Sequence, residues 1–441
     1  MRDNDRLAKN YPKVVVPPPG PKAKAIIERD REFLSPSYIK EYPLVVERGS
    51  GAMIEDVDGN RYLDFMAGIA VTSTGHSHPK VVAAIEETAR KFLHICATDF
   101  HYPQFTQLAE RLARLVPGPG KKRVFLTNSG TEAVEGAMKL ARQHTKRQNF
   151  IAFEGAFHGR TYGSITLNAS KVKYRRGFGP LLPGVYHLPY SNPYRQEVDW
   201  RAAAESLFHH RLARDEVAAV IMEPVQGEGG YVVPEPEFIR YWRDFCDANG
   251  ALLVFDEIQS GIGRTGKMFA AEHFGVAPDV TLVAKGIASG MPIGAIVARD
   301  DVMTWERGSH GSTYGGNPVC CAAALATLDL VENGLMQNAA RMGALVTDGL
   351  RELAADHDVI GDVRGLGLMI GVEFVKDRKT KEAFPEMIEP LELAAFKRGL
   401  LLLGAGRSSI RIAPPLVIDA EDVDHGLRIL DESLAELKVR A

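Results

Sequence analysis

RVFLTNSGTEAVEGAMKLA, residues 123–141, contains the local pattern that decides the fold. Its first part, Arg123–Leu126, has the composition of a short buried strand and is followed by the turn-forming residues Asn128–Gly130. A helical pattern then begins at Thr131 and continues to Arg147. The stretch predicts a strand, a turn and a helix in succession, which is the repeating unit of a parallel α/β sheet.

The same alternation of strand-like and helix-like runs extends in both directions from this stretch. Long helical patterns include Glu237–Ala248 and Pro318–Val331. The clearest further strands are Asn149–Phe153, Ala218–Met222, Ala251–Phe255 and Val280–Val283. Apolar runs of this kind are typical of strands that helices cover on both faces. We therefore predict a large α/β domain over residues 66–335, with a mainly parallel sheet.

The two ends of the chain have a different pattern. Residues 43–64 alternate apolar and polar positions and turn at Asp58–Asn60, which predicts a hairpin. Residues 336–441 predict a smaller α+β domain, and residues 1–65 an N-terminal arm and hairpin that contribute to it. The proline-rich start of the arm, before a short helix predicted over residues 23–34, is a candidate disordered segment.

Composition and charge exclude several classes of protein. The 441 residues are 45% hydrophobic and 25% charged, which are ordinary globular values. The 53 Lys and Arg against 56 Asp and Glu give a net charge of -3, so we expect no nucleic-acid partner. We also expect no membrane partner, because no uninterrupted apolar run reaches about 20 residues. The N-terminus lacks the apolar centre of a secretory signal, and the four cysteines lack CxxC spacing, so we predict a cytoplasmic protein.

Ligands of open parallel sheets bind at the carboxyl ends of the strands, and the first predicted strand end can bind phosphate. Free N–H groups at Ser129, Gly130 and Thr131, at the positive end of a helix, suit an anion. A plain helix N-cap at Ser129 or Thr131 explains this fragment equally well.

Two further strand ends carry a carboxylate and an amine. Asp256 can hold a proton on a heteroaromatic nitrogen or bind a metal, although a lone strand-end Asp more often caps a loop. Lys285 lies among small apolar residues, which lowers the pKa of its amine and favours the neutral form that makes a Schiff base. A phosphate site, a ring-nitrogen carboxylate and such a lysine are together the three anchors of pyridoxal phosphate.

Longer motifs carry a specific resemblance to the class III, fold type I, pyridoxal-phosphate aminotransferases. They occur in the family order from about Pro19 to the C-terminus. The motifs are VFLTNSGTEAVEGAMKLAR (124–142), FEGAFHGRT (153–161), IMEPVQGEGGY (221–231), LLVFDEIQSGIGRTGK (252–267) and STYGGNP (312–318). The resemblance implies the α/β architecture of fold type I, with a large cofactor-binding domain and a smaller α+β domain.

The resemblance also implies roles for residues around the cofactor ring. Lys285 would form the Schiff base and act as the base for the 1,3-proton shift. Asp256 would keep the pyridine nitrogen protonated, and Gln259 would contact the ring hydroxyl. Phe157 would stack on the ring face, with His158 beside the ring.

The phosphate site in this family is shared between two subunits. Ser129, Gly130 and Thr131 would bind the phosphate of their own subunit. Thr313 would reach the phosphate of the neighbouring subunit. The resemblance therefore implies a homodimer as the smallest competent unit, with a dimer of dimers left open.

Substrate residues follow from the same resemblance. Arg411 would bind an α-carboxylate, and Glu228 would neutralise Arg411 while a donor without an α-carboxylate is bound. Arg160 would bind the distal carboxylate of the substrate. Ile69 replaces the aromatic residue of typical ornithine aminotransferases and favours a slimmer donor. A fixed ion pair of Arg160 and Glu228 with no switching is the alternative.

The resemblance predicts a ping-pong aminotransferase that moves an amino group from an ω-amino donor, such as 4-aminobutyrate, to 2-oxoglutarate. Acetylornithine, ornithine or lysine aminotransferase is one alternative, and an amino-acid racemase is another. The anchoring residues do not discriminate among these activities, since racemisation uses the same cofactor site.

Other motifs suggest rival functions with less support. GIGRTG, residues 261–266, has the GxGxxG spacing of a dinucleotide site, but DEIQS separates it from its strand. His76 and His78 suggest a metal pair without adjacent acidic ligands, so we expect no metal site. Cys320 and Cys321 are typical of small core residues. A non-enzymatic binding protein would not need Lys285 and Asp256 together.

Overall fold

A computed structural model describes residues 11–196 and 198–440 of the chain. The α-helices are α1 (Pro21–Phe33), α2 (Pro79–Lys91), α3 (Pro103–Leu115), α4 (Gly130–Thr145), α5 (Tyr162–Leu167), α6 (Trp200–His210), α7 (Pro236–Asn249), α8 (Ala271–Phe274), α9 (Pro318–Leu330), α10 (Met336–Asp356), α11 (Ile388–Lys397) and α12 (Ala420–Arg440). The strands are β1 (Val46–Ser50), β2 (Met53–Asp56), β3 (Arg61–Asp64), β4 (Lys122–Thr127), β5 (Asn149–Phe153), β6 (Val185–Leu188), β7 (Val217–Met222), β8 (Leu252–Asp256), β9 (Val280–Val283), β10 (Gly294–Arg299), β11 (Ile360–Leu366), β12 (Met369–Asp377), β13 (Glu382–Ala383), β14 (Leu400–Leu401), β15 (Leu403–Ala405) and β16 (Ser409–Ile412).

A seven-stranded sheet lies at the centre of the fold, in the order β4-β10-β9-β8-β7-β5-β6. Strands β5 to β9 pair in parallel, whereas β10 is antiparallel to both β4 and β9. Strand β4 consequently runs in the same direction as β9. The carboxyl ends of β4, β5, β7, β8 and β9 therefore open on one edge of the sheet, which is where ligands of such sheets bind.

The apolar sequences of these strands explain why the sheet is central. Every residue of β7, VAAVIM, is buried, and so is every residue of β8, LLVFD. Helix α4 packs a buried face of small and aliphatic residues, from Ala133 to Ala141, into one core cluster. Helix α7 contributes Phe238 and Trp242 to the larger core cluster. Burial on both faces is typical of a parallel sheet.

Two smaller sheets flank the central one. The first has the order β1-β2-β3-β14, and in it β3 pairs in parallel with β14, Leu400–Leu401, near the other end of the chain. The second has the order β11-β12-β16-β15, with β13 on the side of β12. The pairing of β3 with β14 is the contact that a small domain built from both chain ends requires. The domain boundaries at residues 65 and 335 stay a prediction.

The predicted hairpin over residues 43–64 is a three-stranded meander. The expected turn at Asp58–Asn60 connects β2 to β3. A second turn at Gly51, where φ is 58°, connects β1 to β2 and places Ser50 opposite Met53. Glycine adopts this left-handed conformation at low cost, which explains why Gly51 occupies this turn.

The antiparallel strand β10 departs from a purely parallel sheet. About ten residues connect β9 to β10, fewer than the dozen or more that a parallel crossover needs. The chain therefore returns directly beside β9 in the opposite direction.

The N-terminal arm is fixed to the meander within the described residues. Val15 and Val16 both donate their N–H groups to Asn60 Oδ1, at 2.8 and 2.9 Å. The helix expected over residues 23–34 is α1, which begins at Pro21 and ends at Phe33. The charged residues 1–10 of the predicted arm lie outside the described residues.

Residues 318–356 form a helical segment with a break at Asn333 and Gly334. In length and composition this segment could cross a bilayer. Half of its apolar window is buried inside the fold, and most of α9 lies in the core beside α2 and α3. These contacts are those of a core helix.

Candidate active site

Five strand ends converge on one cavity of about 300 Å³ at the carboxyl edge of the central sheet. Each of these segments lies at the end of a strand or within a few residues after it. They are Asn128–Thr131 after β4, Phe157–Gly159 after β5, Glu223 after β7, Asp256 at the end of β8 and Lys285 after β9. The three strand ends selected from the sequence thus meet in one place. We call this space the inner cavity.

The first turn of α4 forms one wall of the inner cavity. Ser129 is the N-cap residue, and its Oγ accepts a hydrogen bond of 3.4 Å from the Glu132 N–H. Thr131 Oγ1 lies 2.7 Å from Ser164 Oγ. The first N–H groups of a helix have no partner inside the helix, so this wall can receive an anion. A Cβ on Gly130 would lie 2.8 Å from Ile258 Cδ1, which explains the glycine at this wall.

Asp256 is buried and held from two sides. Its Oδ2 lies 2.7 Å from His158 Nδ1, and its Oδ1 accepts the Ile258 N–H at 3.1 Å. His158 is itself fixed, because its N–H donates to Asn168 Oδ1 at 2.6 Å. Burial disfavours the protonated imidazole, but the hydrogen bond and charge of Asp256 outweigh burial and raise the pKa of His158. The imidazole thus orients the carboxylate, a contact that the sequence did not predict.

Lys285 begins a short 3-10 turn directly after β9. Its backbone φ is 48°, a left-handed conformation that is uncommon for a residue other than glycine. Burial lowers the pKa of the Lys285 amine to about 8, although the negative charge of Asp256 opposes this effect. A larger fraction of the amine is therefore neutral near physiological pH than in an exposed lysine.

Glu223 is a site residue that sequence reasoning missed. It is buried, and its carboxylate accepts the N–H groups of Phe157 at 3.1 Å and Gly227 at 3.0 Å. Burial raises the pKa of Glu223 to about 7. Glu223 fixes the two segments that carry Phe157 and Glu228. The signal was available, because Glu223 follows the apolar run of β7 as Asp256 ends that of β8.

A second, outer cavity of about 910 Å³ joins the inner cavity at Phe157, Gln259 and Lys285. All four residues predicted to handle substrate line it: Ile69, Arg160, Glu228 and Arg411. The structure therefore brings the predicted cofactor and substrate residues into adjoining spaces.

Glu228 pairs with Arg411 at 3.2 Å from Oε2 to Nη2. Its other oxygen, Oε1, lies 2.7 Å from Lys171 Nζ and accepts the Tyr174 hydroxyl at 2.9 Å. Burial alone would raise the pKa of Glu228, but the charges of Arg411 and Lys171 hold it below its ordinary value. Glu228 is thus an ionised carboxylate between two cations.

Arg160 makes no ion pair with Glu228 or with any other acidic residue in the described part of the chain. Its guanidinium lies over the Tyr174 ring, 4.1 Å from the centroid, and 5.5 Å from the Phe157 centroid. The alternative of a fixed Arg160–Glu228 pair therefore does not match the geometry. Arg160 presents a positive charge to the outer cavity.

Ile69 lies in a left-handed turn formed by Ala67–Ala70 at the wall of the outer cavity. Its φ is 67°, which is a rare conformation for a β-branched residue. The residue is 43% exposed. Backbone strain of this kind tends to occur at functional sites.

Thr313 is exposed and does not line the inner cavity of its own chain. Its predicted contact with the phosphate of a neighbouring subunit needs such an outward position and stays a prediction.

The rival motifs have structural explanations. GIGRTG forms turns without starting a helix, and Arg264 is buried with its Nη1 donating to Leu368 O at 3.1 Å. His76 pairs with Asp64 at 2.8 Å, whereas His78 caps α2. No group of three or more potential metal ligands occurs within residues 11–196 and 198–440. Cys320 and Cys321 are free and buried in α9.

The inner cavity fits pyridoxal phosphate. A helix N-terminus, a buried carboxylate and a lysine with a lowered pKa all line the same space. Gln259 also lines it, and its buried Oε1 has no hydrogen-bond partner in the described part of the protein. Such an orphaned acceptor at a cavity wall is suited to a polar ligand group.

Comparisons with known proteins agree with this geometry. The family model described as "Aminotransferase class-III" matches residues 35–434. The 4-aminobutyrate aminotransferase of Mycobacterium leprae is 42% identical over 95% of this chain and 97% of its own length. The alanine/serine racemase of Pyrococcus horikoshii is 40% identical over 97% of this chain and 93% of its own.

The solved structure of the ornithine aminotransferase from Toxoplasma gondii has a TM-score of 0.85 and 30% identity, over 95% of this chain and 96% of that one. The predicted α/β architecture of fold type I is confirmed. On the match of the family model and the identity of these relatives, the chain belongs to the class-III aminotransferases, and its cofactor is pyridoxal phosphate.

Proposed function

We propose that the enzyme transfers an amino group from an ω-amino donor, most directly 4-aminobutyrate, to 2-oxoglutarate by a ping-pong cycle. The observation that carries this proposal is the Arg411–Glu228 pair, 3.2 Å apart, in the cavity that opens onto Lys285. A site that uses only α-amino acids has no need to neutralise the arginine that binds their α-carboxylate.

Bound pyridoxal phosphate supplies an aldehyde that accepts the amino group and a ring that withdraws electrons from the reacting carbon. Lys285, whose pKa is lowered by burial, is the residue that would take and return the proton at that carbon. Asp256, oriented by His158, would hold a proton on the ring nitrogen. Phe157, Gln259 and the first turn of α4, Ser129, Gly130 and Thr131, line the same cavity and would hold the ring, its hydroxyl and the phosphate, respectively.

Arg411 and Glu228 allow one site to accept two unlike substrates. The reacting carbon of an ω-amine carries no carboxylate, so the charge of Arg411 is balanced by Glu228 in that half-reaction. 2-Oxoglutarate brings an α-carboxylate, which forms a bidentate pair with the guanidinium and displaces Glu228. Arg160, which has no acidic partner in the described residues, binds the distal carboxylate of either substrate.

Removal of the Glu228 carboxylate tests the proposal that Glu228 balances Arg411 in only one of the two half-reactions. Glu228→Ala leaves Arg411 uncompensated beside the methylene chain of an ω-amine. We expect single-turnover rates with 4-aminobutyrate to fall by roughly 10- to 100-fold, and those with glutamate to change much less. Glu41→Ala, which removes another acidic side chain of the outer cavity, is the matched control. Equal losses in both half-reactions would defeat the switch.

A donor screen tests the substrate. Purified holoenzyme with 2-oxoglutarate is offered 4-aminobutyrate, ornithine, acetylornithine, lysine or leucine, and the glutamate formed is measured. We expect the highest kcat/KM with 4-aminobutyrate. A clear preference for another ω-amine would reassign the donor within the family.

The similarity to an alanine/serine racemase makes racemisation the second candidate. The same samples are therefore analysed for inversion of leucine and alanine. Inversion without net formation of glutamate would show a racemase built on the same residues.

We further propose that the enzyme works in the cytoplasm as a homodimer or a dimer of dimers. The four cysteines are free thiols in the described structure, as in a reducing compartment. The exposed position of Thr313 suits a contact across a subunit interface.

A further inference from the structure

The carboxylate of Glu228 is held from two opposite sides. Arg411 contacts Oε2 at 3.2 Å, whereas Lys171 Nζ lies 2.7 Å from Oε1 and the Tyr174 hydroxyl donates to Oε1 at 2.9 Å. Only 11% of the Glu228 side chain is exposed. A switch residue in this environment needs a defined partner in each of its two positions, because an unpaired buried carboxylate is costly.

Lys171 and Tyr174 are arranged to act together. Lys171 is the extended N-cap residue of a 3-10 turn, Val172–Tyr174, and Tyr174 is the last residue of that turn. The turn brings both side chains to the same carboxylate oxygen, Oε1 of Glu228. Tyr174 is buried and its ring is covered by Arg160, which fixes the hydroxyl.

The backbone of Glu228 is anchored independently of its side chain. Its carbonyl accepts the Gly406 N–H at 2.7 Å, beside the strand that carries Arg411. Displacement of the carboxylate from Arg411 thus requires only rotation of the side chain. Lys171 and Tyr174 are the polar groups already in contact with it on the other side.

We propose that Lys171, with Tyr174, is the receiving site for Glu228 when a substrate α-carboxylate takes over Arg411. Lys171 is in this sense a positioning residue that acts through Glu228, and the inference deepens the proposed function on which it rests. In the displaced position both carboxylate oxygens become available to Lys171 and Tyr174. Without Lys171 the buried carboxylate would stay on Arg411 and compete with the substrate.

Binding of glutarate to the holoenzyme tests the receiving site. Glutarate carries both carboxylates of 2-oxoglutarate but no carbonyl group, so calorimetry reports binding without turnover. We expect Lys171→Met to raise the Kd for glutarate roughly tenfold, as for loss of a partly buried ion pair, and Lys171→Arg to restore much of the affinity. Lys173→Met is the matched control, because Lys173 lines the same cavity but has no acidic partner among the described residues.

A double-mutant cycle distinguishes a route through Glu228 from direct substrate contact. In a Glu228→Gln background, Lys171→Met should change the Kd no more than Lys173→Met does. A loss of similar size with and without the Glu228 carboxylate would overturn the proposal and make Lys171 a direct carboxylate ligand. Unchanged glutarate affinity in Lys171→Met would also overturn it.

The outcome of this cycle is independent of the donor screen. If 4-aminobutyrate is not a donor, the proposed function fails while the coupling of Lys171 to Glu228 can still be measured. If 4-aminobutyrate is a donor and the coupling is absent, only the receiving site fails. Circular dichroism of each variant verifies that the fold is retained.

Discussion

Lys285 and Asp256 both lie at the wall of one buried cavity, and the surroundings of each residue prepare it for its chemistry. Asp256 is held in place by His158 and by the Ile258 N–H, so its orientation is fixed before any ligand binds. Lys285 lies where burial favours the neutral amine. The two residues are thus prepared for different tasks by their surroundings and not by residue type alone.

The lowered pKa of Lys285 predicts its reactivity in the cofactor-free enzyme. Because only the neutral amine reacts, trace acetylation of Lys285 should reach half of its maximum near pH 8. At pH 7 about one tenth of the amine would be neutral, compared with less than about one part in a thousand for an ordinary lysine.

The measurement is mass spectrometry of peptides after competitive labelling over pH 6 to 11. Lys397, an exposed lysine at the end of α11, is the internal control, and its labelling profile is compared with that of Lys285. Superimposed profiles for the two lysines would contradict the proposed environment of Lys285.

At the scale of secondary-structure elements, the first turn of α4 combines two functions. Ser129 caps the helix through the Glu132 N–H, and the same turn faces the inner cavity. The sequence alone left open whether Ser129 is only a cap. The structure shows the cap and also places the residue at the cavity, so both properties need a test.

Ser129→Ala should lower the unfolding free energy by about 1 kcal/mol through loss of the cap and also weaken binding of pyridoxal phosphate several-fold. Asp199→Ala is a matched control, since Asp199 caps α6 through the Arg201 and Ala202 N–H groups, away from the cavity. It should lower stability by a similar amount and leave cofactor affinity unchanged. Thermal unfolding and cofactor titration measure both effects. Unchanged cofactor affinity in Ser129→Ala would make Ser129 a cap alone.

Strand ends were the part of the site that the sequence predicted best. Asp256 lies at the end of one uninterrupted apolar run and Lys285 lies just after another, so both strands could be predicted from the sequence. The order of the strands in the sheet brings the two residues together. Glu223 follows the same rule and was overlooked. Lys171 and Tyr174 had no comparable signal, because they lie on a short 3-10 turn whose distance from Glu228 is set by tertiary packing.

In the sheets, too, some strands could be predicted from the local sequence, whereas others depend on tertiary contacts. Strands β5 and β9 were predicted with the bounds that the structure has. Strand β10 was not among the predicted strands, and its antiparallel direction follows from the short connection after β9. The role of β14 depends on pairing with β3, more than 300 residues earlier in the chain, which no local pattern indicates.

At the scale of the whole molecule, the exposed position of Thr313 connects assembly to cofactor binding. If Thr313 serves the phosphate of a neighbouring subunit, Thr313→Ala should raise the Kd for pyridoxal phosphate roughly tenfold, as for loss of a hydrogen bond to a charged group. Light scattering should give at least twice the 48.3 kDa chain mass for both wild type and variant.

Ser309→Ala, which removes another exposed hydroxyl nearby, should leave cofactor affinity unchanged. A monomeric enzyme with full cofactor affinity would contradict the shared site.

The most direct test of the central claim follows one nitrogen atom through the cycle. Holoenzyme is incubated with ¹⁵N-labelled 4-aminobutyrate, freed of donor by gel filtration, and then given unlabelled 2-oxoglutarate. Mass spectrometry should find about one ¹⁵N-glutamate per active site, because the enzyme retains the amino group between the two half-reactions. Glutamate without label, or no glutamate after removal of the donor, would contradict an ω-aminotransferase.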